Sequence, residues 1–357
     1  MDGKPDLRSI RLPKLKEEIA GMGEKGFRAV QVYEWLHKKQ AQDLGEMTNL
    51  SLSLRESLSE RYSLYNLEPL EVLEDKEDGT FKYLFKTFDG NVIESVFMSY
   101  EHGYSVCISS QAGCRMGCRF CASAIGGKKR DLTAGEMLEQ VYMMQKLQEK
   151  RISNVVVMGT GEPFDNFDNF VLFYEMLTDK DGLNISGRNV TVSTCGITDK
   201  IREIADMGFS FTLAVSLHAP NDELRKTIMP SALKYKIEDI MDACSYFFSR
   251  TGRRITFEYS LMAGINDTDL CAAELSKLLK GRNCHVNLIP VNPVKERDFK
   301  RGRDSDIQRF KKLLEKNKIN VTIRRGLGKN IDAACGQLRR RYIEETGGDK
   351  GAGLCEN

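Results

Sequence analysis

The sequence predicts an α/β fold: a partial (β/α)6 TIM-like barrel, preceded by an N-terminal helical accessory domain and a small β-hairpin extension. Three observations predict it. From residue 104 onward, short apolar runs alternate with amphipathic helical stretches, the pattern of repeating βα units and a parallel sheet. Before residue 65 the apolar residues recur only at helical spacing. Between the two regions, Asp89-Gly90 separates two strand-like runs, a strong hairpin signal.

The helical module is expected over residues 1–65. Leu12, Leu15, Ile19 and Met22 share one helical face, as do Val32, Trp35 and Leu36, and Gly21, Gly23 and Gly26 punctuate the helices. Met47-Thr-Asn-Leu50 leads into a third helix through Leu54 and Leu58. Residues 66–103 hold the hairpin, with strands over 81–88 and 91–98, the second carrying Glu94. The barrel and a C-terminal segment fill 104–341. Its strands are predicted at 105–110, 154–158, 189–193, 211–217, 255–261, 285–290 and 320–324. Thr133-x-x-Glu136 reads as a capping box that opens a helix over 133–149. Residues 342–357 read as a flexible tail.

The 357 residues, 41% hydrophobic, suffice for one large core plus an appended module. No run of about 18 apolar residues occurs and no apolar signal region opens the chain, so a cytoplasmic protein without a membrane span is expected. Ten cysteines in a reducing compartment point to metal or redox chemistry rather than a disulfide scaffold. The net charge of +2 is unevenly spread: residues 294–341 carry 16 Lys/Arg against 6 Asp/Glu. Such a surplus suits a polyanionic partner, or simply a solvated face.

The chemistry centres on Cys114-Arg-Met-Gly-Cys118-Arg-Phe-Cys121. Structural zinc sites and ordinary ferredoxin clusters close with four protein ligands. Three thiolates leave one iron of a [4Fe–4S] cluster open to a small molecule, and the loop follows the first barrel strand, where barrel active sites lie. The plainer alternatives are unrelated buried cysteines, or a zinc site with a distant fourth ligand. The Cys-x3-Cys-x2-Cys spacing resembles the signature of the radical S-adenosylmethionine (SAM) superfamily, in which SAM occupies that open iron.

Gly159-Thr-Gly-Glu-Pro163 follows the next strand. Its glycines allow close backbone approach, and Glu162 can accept from an ammonium group. Ser193, Ser216, Leu217, His218 and Asn292 stand at or just beyond later strand ends, where small polar groups suit a sugar, a carboxylate or adenine. Taken singly, each is as readily a turn or cap residue. Cys107 and Cys335 read equally as buried small hydrophobes. Cys195, Cys244, Cys271 and Cys284 fall in apolar patterns and are assigned to the core; Cys355 falls in the tail.

Together these residues resemble the radical-SAM ribosomal RNA (adenine-C2) methyltransferase family, whose members also modify transfer RNA. The resemblance covers nearly the whole chain. It rests on Gly26-Phe-Arg-Ala-Val-Gln31, Met47-Thr-Asn-Leu50, Cys107-Ile-Ser-Ser-Gln-Ala-Gly-Cys114, Gly161-Glu-Pro163, Ser216-Leu-His-Ala-Pro-Asn221, Asn287-Leu-Ile-Pro-Val-Asn292 and Ile331-Asp-Ala-Ala-Cys-Gly-Gln-Leu338. One departure is Thr160, where the family usually has Met.

The resemblance implies a radical-SAM-type partial barrel, an RNA-binding N-terminal module, and a cluster on Cys114, Cys118 and Cys121. It implies SAM contacts at Gly161, Glu162, Ser193, Ser216, Leu217, His218 and Asn292. Catalytic roles fall to Cys335, Cys107 and Glu94. Adenine carbon 2 is electron-poor and does not attack an electrophilic methyl, so two SAM are implied. One methylates Cys335; the other is the source of a radical that takes a hydrogen from that methyl, whose carbon then adds to the ring. Glu94 is the implied proton acceptor. Attack of Cys107 on the Cys335 sulfur frees the RNA and leaves a disulfide. The implied partners are ribosomal and transfer RNA, an electron donor and a thiol reductant, with a monomer expected.

A sister family that methylates carbon 8 shares these cysteines; Pro163, usually Ala there, and Asn287-Leu-Ile-Pro-Val-Asn292 favour carbon 2. A plain iron–sulfur electron carrier and a non-catalytic ribosomal RNA-binding protein are the readings from other classes. Neither needs the strand-end residues or Cys335.

Overall fold

The computed structural model describes residues 3–101, 103–294, 296–324, 326–328, 331 and 336–346. Cys335 and Cys355 lie outside the described residues. The N-terminal helices are α1 (Leu12–Gly21), α2 (Gly26–His37) and α3 (Leu52–Arg61), with Leu15, Ile19, Val32, Leu36 and Leu58 fully buried between them and the body of the protein. The Ser51 hydroxyl accepts from Leu54 N–H and starts α3.

The chain then enters an antiparallel meander, β1 (Glu68–Asp75), β2 (Thr80–Lys86) and β3 (Val92–Tyr100), which leads into β4 (Gly103–Cys107). The predicted hairpin is β2–β3, closed at Asp89-Gly90. Strand β1 was not expected from sequence, because Glu68-Pro-Leu-Glu-Val-Leu-Glu-Asp75 is too charged to show strand periodicity. It is an edge strand, and charge on an edge blocks further pairing. Pairing of β3 with β4 makes the meander continuous with the barrel sheet.

After the short β5 (Gln111–Gly113) and β6 (Lys128–Asp131) ribbon comes α4 (Ala134–Gln148), opened by the predicted capping box. Strands and helices then alternate: β7 (Ile152–Val157), α5 (Phe167–Thr178), β8 (Val190–Thr194), α6 (Thr198–Asp206), β9 (Thr212–Ser216), α7 (Asp222–Ile228), α8 (Ile237–Thr251), β10 (Ile255–Leu261), α9 (Asp269–Leu279), β11 (Cys284–Pro290), α10 (Asp304–Lys316), β12 (Asn320–Ile323) and α11 (Gln337–Thr346). The ten-stranded sheet runs β1-β2-β3-β4-β7-β8-β9-β10-β11-β12, with every pair from β4 to β12 parallel. Neighbours in sequence are neighbours in space, and β1 and β12 stand at opposite edges, so the barrel is open.

The two faces of this sheet differ. Val155, Val157, Val190, Val192, Leu213, Val215, Phe257, Tyr259, Val286, Leu288 and Val321 alternate along the strands and are buried in the main core. The other face carries Cys107, Thr191, Ser193, Ser216, Glu258, Asn287 and Thr322, the polar phase of the same alternation. Helix α11 returns across the meander on that polar face, where Leu338 packs with Leu84 and Val92.

The helical module is fastened to α4. Fully buried Arg8 faces Glu139 at 3.4 Å and donates to Asn66 Oδ1 and Ala41 O, each at 2.7 Å. His37 Nδ1 lies 2.7 Å from the Tyr142 hydroxyl. Among the described residues no helix is long and apolar enough to cross a membrane.

Candidate active site

The predicted cluster loop leaves β5 at Gly113, whose φ of +84° and lack of room suit only glycine: a Cβ there would stand 2.0 Å from Gly127 O. Cys114 N–H donates to Gly127 O at 3.1 Å, and Arg119 N–H to Ile228 O at 2.9 Å, fixing both arms of the loop. Asp165 braces it by accepting from Arg115 Nε at 3.0 Å, Gln111 Nε2 at 2.9 Å and Lys128 Nζ at 3.0 Å. Although burial opposes it, these donors hold the Asp165 carboxyl below its usual range.

Cys114 is buried, Cys118 and Cys121 half-buried, and all three are free thiols. Burial pushes the Cys114 thiol up to about 12, with further increments from Cys121, Glu162 and Asp165. Burial also pushes Cys118 up, with Cys121 and Cys114 adding and the Arg225 guanidinium opposing. Each of these two thiols is thus raised first by burial and further by the neighbouring cysteines of the same loop. Among the described residues no three His, Cys, Asp or Glu side chains close around one ion position. In an iron–sulfur cluster each thiolate takes its own iron, so three cysteines on one loop suit a cluster without having to converge on a single ion.

The loop after β7 presses against the stretch leading into these cysteines. Gly161, at φ +116°, lies so near that a Cβ would meet Ser110 Oγ at 2.6 Å and Gln111 N at 2.8 Å. Glu162 is buried. Its Oε2 accepts from Cys195 N–H at 2.7 Å and its Oε1 from Phe164 N–H at 3.1 Å. Burial raises its carboxyl; Cys195 and Thr194 oppose. Thr160 is sealed, its hydroxyl 3.3 Å from that of Ser123 just past the cluster loop.

Ser193 and Ser216 meet at 3.4 Å between hydroxyls. Leu217 and His218 N–H both donate to Glu258 O. His218 sits at φ +57° with Nδ1 accepting from Ser260 N–H at 2.9 Å and its ring edge-on to Phe120. Burial, and then Arg225, pull its imidazole down to about 3, so it is neutral with the proton on Nε2. Asn292 is the exception: it stands exposed beyond β11, with no hydrogen bond to the others among the described residues.

Glu94 and Cys107 lie on the same sheet face, because Val96, two residues from Glu94, is the cross-strand partner of Cys107. Glu94 is buried and caps α11: Oε2 accepts from Gly336 N–H and Oε1 from Arg339 N–H, both at 2.6 Å. Gly336, at φ +82°, also abuts the cluster loop; a Cβ on it would meet Ser123 N at 2.6 Å and Ala122 C at 3.0 Å.

Several residues of this site escaped the sequence reading. Lys82, fully buried, faces Glu94 Oε2 at 3.3 Å; its signal was a lysine in the inward phase of an apolar strand. Gln140 Oε1 accepts from Ser95 Oγ and Ser109 N–H, and Ser109 Oγ donates to Glu94 O, fixing the stretch after Cys107 through side chains. Strand β4 ends at Cys107 rather than at residue 110, with Ile108 N–H still donating to Val156 O at 2.9 Å and Ser109 N–H turned to the Gln140 side chain. Buried Arg225 donates to Cys195 O, Ser216 O, Leu217 O and Tyr235 O, clamping the ends of β8 and β9. A cleft of about 250 Å³ lined by Ser105, Asn154, Arg188 and Thr191 lies nearer the other end of the strands and includes none of the predicted residues.

Comparison with known proteins accords with this geometry. Residues 108–274 match the Radical SAM superfamily, and residues 5–64 the ribosomal RNA large subunit methyltransferase N-terminal domain. A protein from Lachnoclostridium phytofermentans named as a probable dual-specificity RNA methyltransferase RlmN is 59% identical, over 96% of each chain. One of the same name from Clostridium perfringens is 52% identical, over 96% of this chain and 99% of that one. The crystal structure of a radical SAM methyltransferase from Sphaerobacter thermophilus superposes with a TM-score of 0.88 at 40% identity, covering 93% of this chain and 98% of that one. A match of this extent, spanning the helical module, the barrel and the C-terminal helix, places the chain in the RlmN family of radical SAM RNA methyltransferases.

Proposed function

We propose that this protein methylates carbon 2 of adenine in large-subunit ribosomal RNA and in transfer RNA next to the anticodon, through an S-methyl group on Cys335, consuming two SAM per methyl transferred. The observation that carries this reading is the position of Gly336, the residue after Cys335. Its N–H is held by Glu94 and its Cα is pressed on Ala122 and Ser123, directly after the cluster loop. Gly336 itself thus stands between a carboxylate and the end of the proposed cluster loop, which supports a role for its neighbour in sequence.

Cys114, Cys118 and Cys121 would hold the [4Fe–4S] cluster, and Gly161, Glu162, Ser193, Ser216, Leu217, His218 and Asn292 would contact SAM. When bound, the two supply the one-electron chemistry that makes a sulfur-bound methyl carbon reactive toward an electron-poor ring. Cys335 accepts the methyl from the first SAM as a thiolate nucleophile. Glu94 takes the ring proton, for which one of its oxygens must release the N–H of Gly336 or Arg339. Cys107 attacks the Cys335 sulfur, freeing the RNA and forming a disulfide that a thiol reductant reopens. An electron donor serves the cluster.

Residues 1–65 form the RNA-binding accessory domain, 66–103 the hairpin region and 104–341 the barrel with its catalytic-cysteine segment, while residues 342–346, read from sequence as the start of a tail, belong to α11; the protein works as a cytoplasmic monomer. The N-terminal surface supports RNA binding: the Arg28 guanidinium lies 4.9 Å over exposed Phe27, and Lys39 Nζ 3.6 Å over the Trp35 ring. Aromatic faces beside cations suit unstacked bases and phosphates.

The test is to map 2-methyladenosine in ribosomal and transfer RNA of a deletion strain carrying the wild-type gene or Cys335→Ala. Restoration by wild type alone is expected. Restoration by Cys335→Ala, or 8-methyladenosine instead, would overturn the reading, as would a reconstituted protein that forms neither methionine nor 5′-deoxyadenosine from SAM and reductant.

A further inference from the structure

The cluster loop is touched from two sides. Gly336 abuts its end, at Ala122 and Ser123. Pro230 abuts its middle: a Cβ on Gly117, the residue before Cys118, would lie 3.4 Å from Pro230 Cγ. Pro230 begins a single 3-10 turn, Pro230–Leu233, shortly after α7. Arg119 N–H on Ile228 O, at 2.9 Å, ties the loop to the end of that helix.

The outer side of this turn combines an exposed apolar side chain with unpaired cations. Leu233, 76% exposed, is the most exposed large apolar side chain among the described residues, while Ala232 beside it is fully buried. Segments 114–121 and 226–236 together hold five basic residues, Arg115, Arg119, Lys226, Lys234 and Lys236, and no Asp or Glu. All five are exposed. Arg115 is paired with Asp165; the other four form no ion pair among the described residues. Tyr235, with Asp199 adding, holds the Lys234 ammonium above its ordinary value and Arg115 opposes, so Arg115 and Lys234 lie within reach of each other's field. An exposed leucine on a fixed turn inside a cationic rim has the anatomy of a protein interface, an apolar centre with charges that steer the partner in.

We propose that the Pro230–Leu233 turn and the cations around it are the docking face of the electron donor, a small acidic one-electron carrier protein. This assignment rests on the reading of Cys114, Cys118 and Cys121 as cluster ligands. One electron crosses the face: the carrier is oxidised by one electron, the cluster is reduced by one, and no bond or proton moves there. Electron tunnelling falls steeply with distance, so the carrier must rest against the loop itself, and Pro230 on Gly117 offers such a place. Five basic residues without a carboxylate among them call for an acidic partner. RNA would meet the same charge, but an isolated leucine gives a base no ring to stack on. Gly336, next to Cys335, also meets the loop elsewhere, at Ala122 and Ser123. The face therefore commits to a protein.

The test uses the cluster-loaded protein and a flavodoxin of net negative charge as the carrier. Equilibrium binding of oxidised flavodoxin is measured in wild type, Leu233→Asp and Lys234→Glu, beside formation of methionine from SAM driven by reduced flavodoxin or by dithionite. Wild type should bind flavodoxin, less tightly as salt rises. Each variant should bind it about tenfold more weakly and slow with flavodoxin to match. Dithionite-driven turnover, iron content and RNA affinity should stay at the wild-type level. Flavodoxin binding at wild-type strength in both variants would overturn the proposal, as would a wild type served by dithionite but neither bound nor reduced by flavodoxin. An RNA affinity that falls as far as the flavodoxin affinity would overturn it too, and assign the face to RNA. If Leu233→Asp does not fold, Lys234→Glu, which replaces an exposed side chain, decides alone. Failure of wild type to form methionine even with dithionite would instead sink the cluster reading.

Discussion

Glu94 and Gly336, 242 residues apart in sequence, are joined by a hydrogen bond of 2.6 Å. With the second oxygen on Arg339 N–H and Lys82 behind it, the carboxylate that is the proposed proton acceptor is also the N-terminal cap of α11. A negatively charged cap suits a helix N-terminus. In Glu94→Gln one of the two N–H groups faces an amide donor and the charge is gone. About 1–2 kcal/mol of local stability should be lost. Hydrogen exchange at the Gly336 and Arg339 amides should quicken about tenfold, and RNA methylation should be abolished. Unchanged exchange would refute the cap.

Gly336→Ala tests the same junction from the other side. The new Cβ meets Ser123 N at 2.6 Å from a backbone at φ +82°. Left-handed backbone alone costs about 1 kcal/mol for a residue with Cβ, and the contact adds to it. The segment must move away from the cluster loop. Methylation should fall more than tenfold while iron content stays at the wild-type level, as read by single-turnover assay and iron analysis.

Cys107→Ala removes the proposed resolving thiol but leaves the Glu94 side of the sheet intact. A covalent protein–RNA adduct should accumulate, seen as an RNA-dependent shift on denaturing gels. Free methylated RNA at wild-type rates would refute the role given to Cys107.

Gly161→Ala places a Cβ 2.6 Å from Ser110 Oγ and 2.8 Å from Gln111 N, at φ +116°. The loop bearing Glu162 must lift, so SAM affinity should drop at least tenfold by equilibrium binding, with a fall of several degrees in Tm. Wild-type affinity would show that this loop does not face SAM.

His37 and His218 are both held down to about 3, by burial first and then by Arg8 and Arg225 respectively. Their folded-state values lie below the unfolded value of 6.5, so the unfolded chain binds the extra protons. The stability they confer is complete above pH 6.5 and is lost as pH falls toward 3. At pH 5 each should have surrendered about 2 kcal/mol. Urea unfolding of wild type and His37→Gln at pH 7 and pH 5 checks this: the variant should lose less stability between the two. Equal losses would contradict it.

The barrel was legible because its apolar strands are separated by amphipathic helices, and the cluster loop because three cysteines fall within eight residues. The capping box Thr133–Glu136 and the turn Asp89-Gly90 were legible for the same reason: their partners are adjacent in sequence. What stayed hidden depends on side chains meeting across the sheet. The Glu94–Lys82 pair, the clamp of Arg225 on four carbonyls and the row from Ser216 through Glu258 and Asn287 to Thr322 on the polar face are products of strand register, which no local pattern records. Strand β1 was hidden by its charge, the property that makes it a safe edge. Asn292, picked out by motif, is exposed just beyond β11, where no local pattern could have told its surroundings.

The edges β1 and β12 do not pair with each other, so among the described residues no backbone ladder closes the sheet into a ring. A closed ring admits only what passes through its mouth, which suits a small molecule but not one unit in the middle of a polymer. For the proposed activity, a ring left unclosed suits a single base that turns inward while the strand on either side of it continues uncut. The missing closure thus matches the proposed substrate, a chain with no end nearby.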